Sequence, residues 1–273
     1  MISEQIPIRH ILMLSGGKDS TALALYMRDK YPDIEMEYLF TDTHKELPET
    51  YEYLTKIEAY LGKPVHRVSS KKGERGFDHF LKMFRGFLPS PQARWCTKEL
   101  KIKPFERFVG DEPVKLYVGI RADEKRDGYI STKPNITPVF PFKEDGVTKE
   151  DVMRILDESG VGMPGYYSWR SRSGCYFCFY QRKSEWVGLK ERHPDLFESA
   201  KSYERIDEGY TWVEKESLID IEKPERMLQI VEREAIRIAR NEANRGPRTL
   251  AEIFTGEIGD DDDDQGGCLI CHL

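Results

Sequence analysis

No stretch of the chain reaches the ~18 consecutive apolar residues that a membrane-crossing helix needs. The opening residues, Met1-Ile2-Ser3-Glu4-Gln5, lack the basic-then-apolar pattern of a secretory leader. A cytoplasmic protein with no membrane partner is the expectation. Cysteine is scarce, with five in 273 residues, and in a cytosolic chain such cysteines point to metal or thiol chemistry rather than a disulfide framework. No internal repeat is visible, which argues against solenoids and propellers. The Walker A pattern GxxxxGK[ST] is also missing. Lys and Arg are absent from Thr255 onward, where Glu257 and Asp260 to Asp264 supply six acids. The net charge of −6 is therefore a property of that tail, because residues 1–254 carry 42 acids and 42 bases. An acidic total of this kind does not exclude an anionic partner.

A composition of 39% hydrophobic and 33% charged residues suits a globular chain able to bury a core. The apolar run at 9–14 reads as a buried strand, followed by a Gly-rich turn and a helix from Asp19 to about Lys30. Further strands are expected near 35–41, 65–68 and 115–120, with a helix at 48–61 between the first two of these. Strands alternating with helices predict an α/β fold built on a doubly wound parallel sheet. After Pro138 helical patterns dominate, near 149–158, 181–192, 194–203 and 224–244. The expected organisation is a nucleotide-binding domain over 1–140, a helical subdomain over 141–254 and a flexible acidic tail over 255–273.

The turn after the first strand is Ser15-Gly16-Gly17-Lys18-Asp19-Ser20. Its glycines allow a tight turn and close ligand approach, and the exposed N–H groups and dipole of the helix start favour an anion. The hexapeptide resembles the PP-loop of the N-type ATP pyrophosphatases. The resemblance implies an adenine nucleotide alpha hydrolase-like fold that binds ATP with Mg and cleaves it between the α- and β-phosphates. On this reading Ser15, Gly16, Gly17, Lys18, Asp19 and Ser20 hold the nucleotide, with Lys18 and Asp19 also catalytic.

Three further segments resemble the phosphoadenylyl-sulfate reductase superfamily, and the likeness runs over roughly residues 8–205. Asp42-Thr43-His44 through Pro48-Glu49-Thr50-Tyr51 is similar to its D-T-G-x-x-x-P-E-T-Y segment, with His44 where the family usually has Gly. Gly119-Ile120-Arg121 through Arg126 is similar to its G-x-R-x-x-E-x-x-R motif. Asp42, Gly119 and Arg121 are thereby implied in nucleotide binding, and a guanidinium such as that of Arg121 suits a phosphate clamp. Arg94 through Pro104 resembles the family's C-C-x-x-x-K-x-x-P segment, with Thr97 in place of the second Cys.

Cys175 and Cys178 form a C-x-x-C pair, and 78 residues separate Cys96 from Cys175. The iron–sulfur branch of the superfamily binds a [4Fe–4S] cluster with cysteines spaced in this way, and thiolates are the usual ligands. The resemblance implies Cys96, Cys175 and Cys178 as ligands. Cys268 of the tail is the candidate fourth ligand and Cys271 a candidate catalytic sulfur carrier. Two C-x-x-C pairs are equally a zinc pattern, so zinc stays open.

Basic residues interleave with aromatics at 67–85, 94–107 and 166–172, which suits a nucleic-acid strand. The expected function is an enzyme that adenylylates a nucleic-acid oxygen for replacement by sulfur, as in bacterial DNA phosphorothioation. DNA is favoured over tRNA, and a cysteine desulfurase and other modification subunits are the implied partners. The alternatives are a tRNA thiolase, a true adenylyl-sulfate or phosphoadenylyl-sulfate reductase, and a non-catalytic nucleotide-sensing subunit.

Overall fold

The computed structural model describes residues 7–70, 76–125 and 133–243, with side chains as far as 241. The first strand, β1 (Arg9–Met13), is followed by α1 (Lys18–Lys30), β2 (Met36–Thr41), α2 (Pro48–Leu61) and β3 (Val65–Val68). Short helices α3 (Phe77–Met83), α4 (Trp95–Thr97) and α5 (Lys103–Val109) lead to β4 (Val114–Tyr117) and β5 (Ile136–Val139). All neighbouring strands run parallel, in the order β3-β2-β1-β4-β5.

A central parallel strand is covered on both faces and is therefore apolar throughout. In β1 the residues Ile11, Leu12 and Met13 are all essentially inaccessible. Their alternation feeds two cores. Leu12 packs in a cluster with Leu23, Leu54, Phe142 and Leu156. Ile11 and Met13 face the other way, with Leu39, Phe105 and Leu116. The expected α/β doubly wound sheet is thus present, with helices on both faces. The chain continues through α6 (Pro141–Glu144) and α7 (Lys149–Glu158), whose Phe142, Val152 and Leu156 complete the first cluster. α7 begins at a capping box in which Thr148 and Asp151 satisfy each other's backbone N–H groups.

Two compact units emerge, one of residues 7–168 and 172–176, the other of 169–171 and 177–243. The divide falls at 168, where the sequence pattern placed it at 140, because α6 and α7 bury their apolar side chains in the first unit's core. The expected tail at 255–273 lies outside the described residues. β5 escapes a period-2 reading because Pro138 interrupts it, and proline is tolerated at such an edge position.

The second unit is helical, as expected: α8 (Lys183–Arg192), α9 (Pro194–Lys201), α10 (Leu218–Ile221) and α11 (Pro224–Ala243). Its core is aromatic, with Trp212 stacked on Phe177 at 4.9 Å and donating its indole N–H to Ala200 O at 2.8 Å. Glu216 accepts hydrogen bonds from Arg226 and, at 2.5 Å, from Lys183.

Those two cations, Arg226 foremost, hold the Glu216 carboxyl down to about 2 from its ordinary 4.5. A depressed folded-state value contributes stability that is complete above pH 4.5 and lost as the pH falls toward 2. Urea unfolding across that range should show a falling acid limb in the native protein. In Glu216→Gln the limb should be flatter and the protein less stable at neutral pH.

Candidate phosphate site and the cysteines

The sheet dictates where a ligand goes. β1 lies between β2 and β4, so the chain turns to opposite sides beyond their carboxyl ends, and this switch point leaves a crevice. The loop between β1 and α1 and the Gly119–Arg121 segment after β4 both lie there. Gly16 has φ +73°, and a Cβ on it would meet Thr50 Cγ2 at 2.6 Å. Gly119 is needed for another reason: a Cβ there would stand 2.9 Å from the backbone oxygen of Asp19.

The loop's hydroxyls bond to one another. Ser15 N donates to Ser20 Oγ at 3.1 Å, and the two Oγ atoms are 3.1 Å apart. Gly17 N donates to Ser15 Oγ at 3.3 Å, while Ser20 and Thr21 hydroxyls donate to Gly17 O. α1 therefore begins with its turn closed by side chains, and Asp19 sits in its first turn, where a negative charge is favoured.

Lys18 Nζ pairs with Asp19 Oδ2 at 2.6 Å. The expected phosphate clamp, Arg121, is instead buried, at 1% exposure, and committed to carboxylates. Its Nη1 lies 2.9 Å from Asp19 Oδ1 and 3.0 Å from Glu124, and its Nε lies 3.0 Å from Asp123. Burial works against the charge, but Asp19 and Glu124 more than offset it, so the guanidinium pKa is held above its ordinary value. In this arrangement Arg121 positions Asp19.

Asp42 ends β2 and organises the next turn. Its Oδ1 accepts from His44 N at 2.7 Å and from the Tyr51 hydroxyl at 2.8 Å. Burial, then that bond to Asp42, pushes the Tyr51 phenol pKa up. His44 has φ 58°, the left-handed region that suits glycine, which explains why the resembled motif has Gly there.

Three site residues carry no motif. Tyr166 donates to Gly16 O at 2.7 Å, the Tyr167 hydroxyl accepts from Lys18 N at 3.2 Å, and Ser173 donates to Ser15 Oγ at 3.1 Å. Burial, then the charge of Asp19, raises the Tyr167 phenol pKa. All three lie about 150 residues beyond the loop, so no local pattern could have signalled them.

Cys96, Cys175 and Cys178 are half-buried and outside any disulfide. Cys175 lies in the first unit, its Sγ 3.2 Å from Thr43 Oγ1 and 3.7 Å from Glu46 Oε1. Tyr176 N donates to Lys45 O at 2.8 Å and pins the same stretch. Cys178 belongs to the second unit. Among the described residues no three of His, Cys, Asp and Glu are grouped so as to hold a metal ion. The described thiols alone therefore do not fit a cluster. Cys268 and Cys271 lie outside the described residues.

Of the basic stretches, Lys71, Lys72 and Arg75 lie outside the described residues, as does Arg126 of the Gly119 motif. A π-helical turn spans Lys98–Ile102, its Lys98 O accepting from Lys103 N; Lys98, Lys103 and Arg107 are exposed, and the Lys103 ammonium pairs with Glu99 at 2.6 Å. Arg170, expected on the nucleic-acid surface, is buried in the second unit.

Residues 9–178 match the family model for the phosphoadenosine phosphosulfate reductase domain. The chain belongs to this family. Among the relatives of this reductase-domain protein is an uncharacterized protein, MJ0066, of Methanocaldococcus jannaschii, 26% identical over 231 residues, 78% of this chain and 46% of the relative. A tRNA-specific 2-thiouridylase, MnmA, of Lactobacillus delbrueckii subsp. bulgaricus is 28% identical over 185 residues, 56% of this chain and 48% of the relative. The chain thus spans about half the length of these two curated relatives. The crystal structure of a phosphoadenylyl-sulfate reductase from Candida auris, phosphate complex, has 18% sequence identity and a TM-score of 0.48, covering 61% of this chain and 81% of that one. Among the described residues no helix is long and apolar enough to cross a membrane.

The Arg121 arrangement has a measurable cost. Arg121→Ala leaves Asp19 and Glu124 buried beside no guanidinium, and breaking a buried pair from one side costs about 3–5 kcal/mol. Urea unfolding should show a loss of that size, and Arg121→Lys should recover only part of it.

Proposed function

We propose that this reductase-domain protein is an ATP pyrophosphatase that adenylylates an oxygen of a nucleic acid so that sulfur can replace it. The observation that carries the reading is the glycine loop of Ser15–Ser20 at the switch point of the sheet, opening α1. Such a loop suits the β- and γ-phosphates of ATP, whose charge the helix start and Lys18 offset. Bound Mg would supply further charge neutralisation on the phosphates.

In the proposed reaction the acceptor oxygen attacks the α-phosphorus, and the bond to the bridging oxygen breaks with release of pyrophosphate. The acceptor oxygen then leaves with AMP when a sulfide-level sulfur attacks its carbon or phosphorus; a persulfide on Cys271 would instead form a disulfide to the acceptor, which an external thiol reductant must cleave to free the thio product. Lys18 meets the departing charge, and Asp19, steadied by Arg121, holds the Lys18 ammonium in place. The residues Ser15, Gly16, Gly17, Ser20, Asp42 and Gly119 complete the proposed nucleotide site. Exposed Lys98, Lys103 and Arg107 belong to the stretch proposed to meet a phosphate backbone, with Lys103 giving up its pairing to Glu99.

The proposed acceptor is DNA, in phosphorothioate modification, with a cysteine desulfurase as sulfur source, other modification subunits as partners and Cys271 as carrier. A second reading, a tRNA base carbonyl as acceptor, is favoured by the identity to a tRNA 2-thiouridylase. Purified protein should release pyrophosphate from ATP, faster with the true acceptor. Lys18→Ala or Asp19→Ala should cut release at least about 100-fold, the scale for losing a charge-stabilising group. No release under any condition, with turnover of adenylyl sulfate instead, would identify a reductase. Labelled sulfur appearing in DNA or in tRNA decides the acceptor.

Cys96, Cys175, Cys178 and Cys268 are the proposed ligands of a [4Fe–4S] cluster, with zinc the alternative, on the strength of their spacing. The described residues alone do not assemble that site, and no step above passes through it. Anaerobic purification should give a brown protein containing iron and sulfide. A colourless protein containing zinc would overturn the cluster and leave the phosphate loop untouched.

A further inference from the structure

Ser173 belongs to no motif, yet it reaches into the phosphate loop. Its hydroxyl donates to Ser15 Oγ at 3.1 Å, and it is itself buried, at 7% exposure. The missing side chain of Gly17 makes the room, because a Cβ there would stand 2.8 Å from Ser173 Oγ and 3.3 Å from Ser173 Cβ. Gly17 has an extended backbone, φ −98° and ψ 167°, open to any residue, so the space it leaves for Ser173 is a distinct reason for glycine. The flanking segment is held to the same loop by Tyr166 on Gly16 O and by Tyr167 on Lys18 N.

A serine hydroxyl has one proton to give. The Ser20 hydroxyl gives its proton to Gly17 O, and Ser15 Oγ both faces Ser20 Oγ and accepts from Gly17 N. Redirecting either proton to a ligand would remove a bond from within the loop itself. The Ser173 proton goes only into Ser15 Oγ, at the end of this chain of hydroxyls. Turning it toward an incoming phosphate oxygen costs one bond to Ser15 and leaves the loop's own bonds in place.

We propose that Ser173 is a further phosphate-binding residue of this site, donating its hydroxyl proton to the pyrophosphate moiety. The inference rests on the pyrophosphatase reading and adds a residue that the loop motif omits. Its test is titration calorimetry of the full-length protein with inorganic pyrophosphate and, separately, with adenosine, alongside thermal melting of the ligand-free protein. Ser173→Ala should weaken pyrophosphate by about tenfold or more, the scale of a lost bond to a charged acceptor. It should leave adenosine affinity and the melting temperature within error of the native values. A steady-state comparison should place the loss in KM for ATP more than in kcat.

Unchanged pyrophosphate affinity in Ser173→Ala overturns the proposal. So does an equal weakening of pyrophosphate and adenosine together with a lower melting temperature, which would mark Ser173 as structural only. A native protein that fails to bind pyrophosphate at all brings down the pyrophosphatase reading itself, a result separable from either of these.

Discussion

The ion pair between Arg121 and Asp19 joins the two sides of the sheet's crevice. Asp19 stands in the first turn of α1, which follows the central strand, and Arg121 follows the adjacent strand β4. Both groups are buried, so each charge depends on its ion partners, Asp19 on Arg121 and Lys18, and Arg121 on Asp19, Asp123 and Glu124. Gly119 lets the backbone after β4 approach Asp19 O closely enough for the pair to form. Lys18 then leans on the second carboxylate oxygen of Asp19. The cation aimed at phosphate is thereby oriented by a carboxylate that a buried guanidinium holds still.

Much of this architecture is legible in the residues themselves. β1, β2, β3 and β4 are apolar or alternating runs bounded by turn residues, and α1, α2, α7, α8, α9 and α11 carry clear helical patterns. Parallel strands leave several orders open, and only the pairings of the folded chain give β3-β2-β1-β4-β5. β5 was hidden by Pro138, and the extent of the first unit was hidden because α6 and α7 look like the start of a helical region. Periodicity shows that a helix has an apolar face, not which core that face enters.

The phosphate loop was legible because its chemistry is local: hydroxyls, glycines and a lysine within six residues. Arg121 was legible as a member of the site, but its role was not, since only the fold brings Asp19, Asp123 and Glu124 around it. Tyr166 and Tyr167 read as part of a nucleic-acid surface, yet they and Ser173 meet the loop across about 150 residues of chain, a contact no local pattern signals. Cys175 likewise read as half of a C-x-x-C pair, while its contacts to Thr43 and Glu46 are long-range.

The sheet ends on both sides in four-residue strands, β3 and β5, and β5 contains Pro138. A short edge broken by a residue without an N–H is a poor template for an incoming strand. Among the described residues, β-augmentation is therefore disfavoured most clearly at the β5 margin. Among the described residues, helices and loops such as the π-wound turn that presents Lys98 to solvent are better suited to a macromolecular partner than the sheet margins.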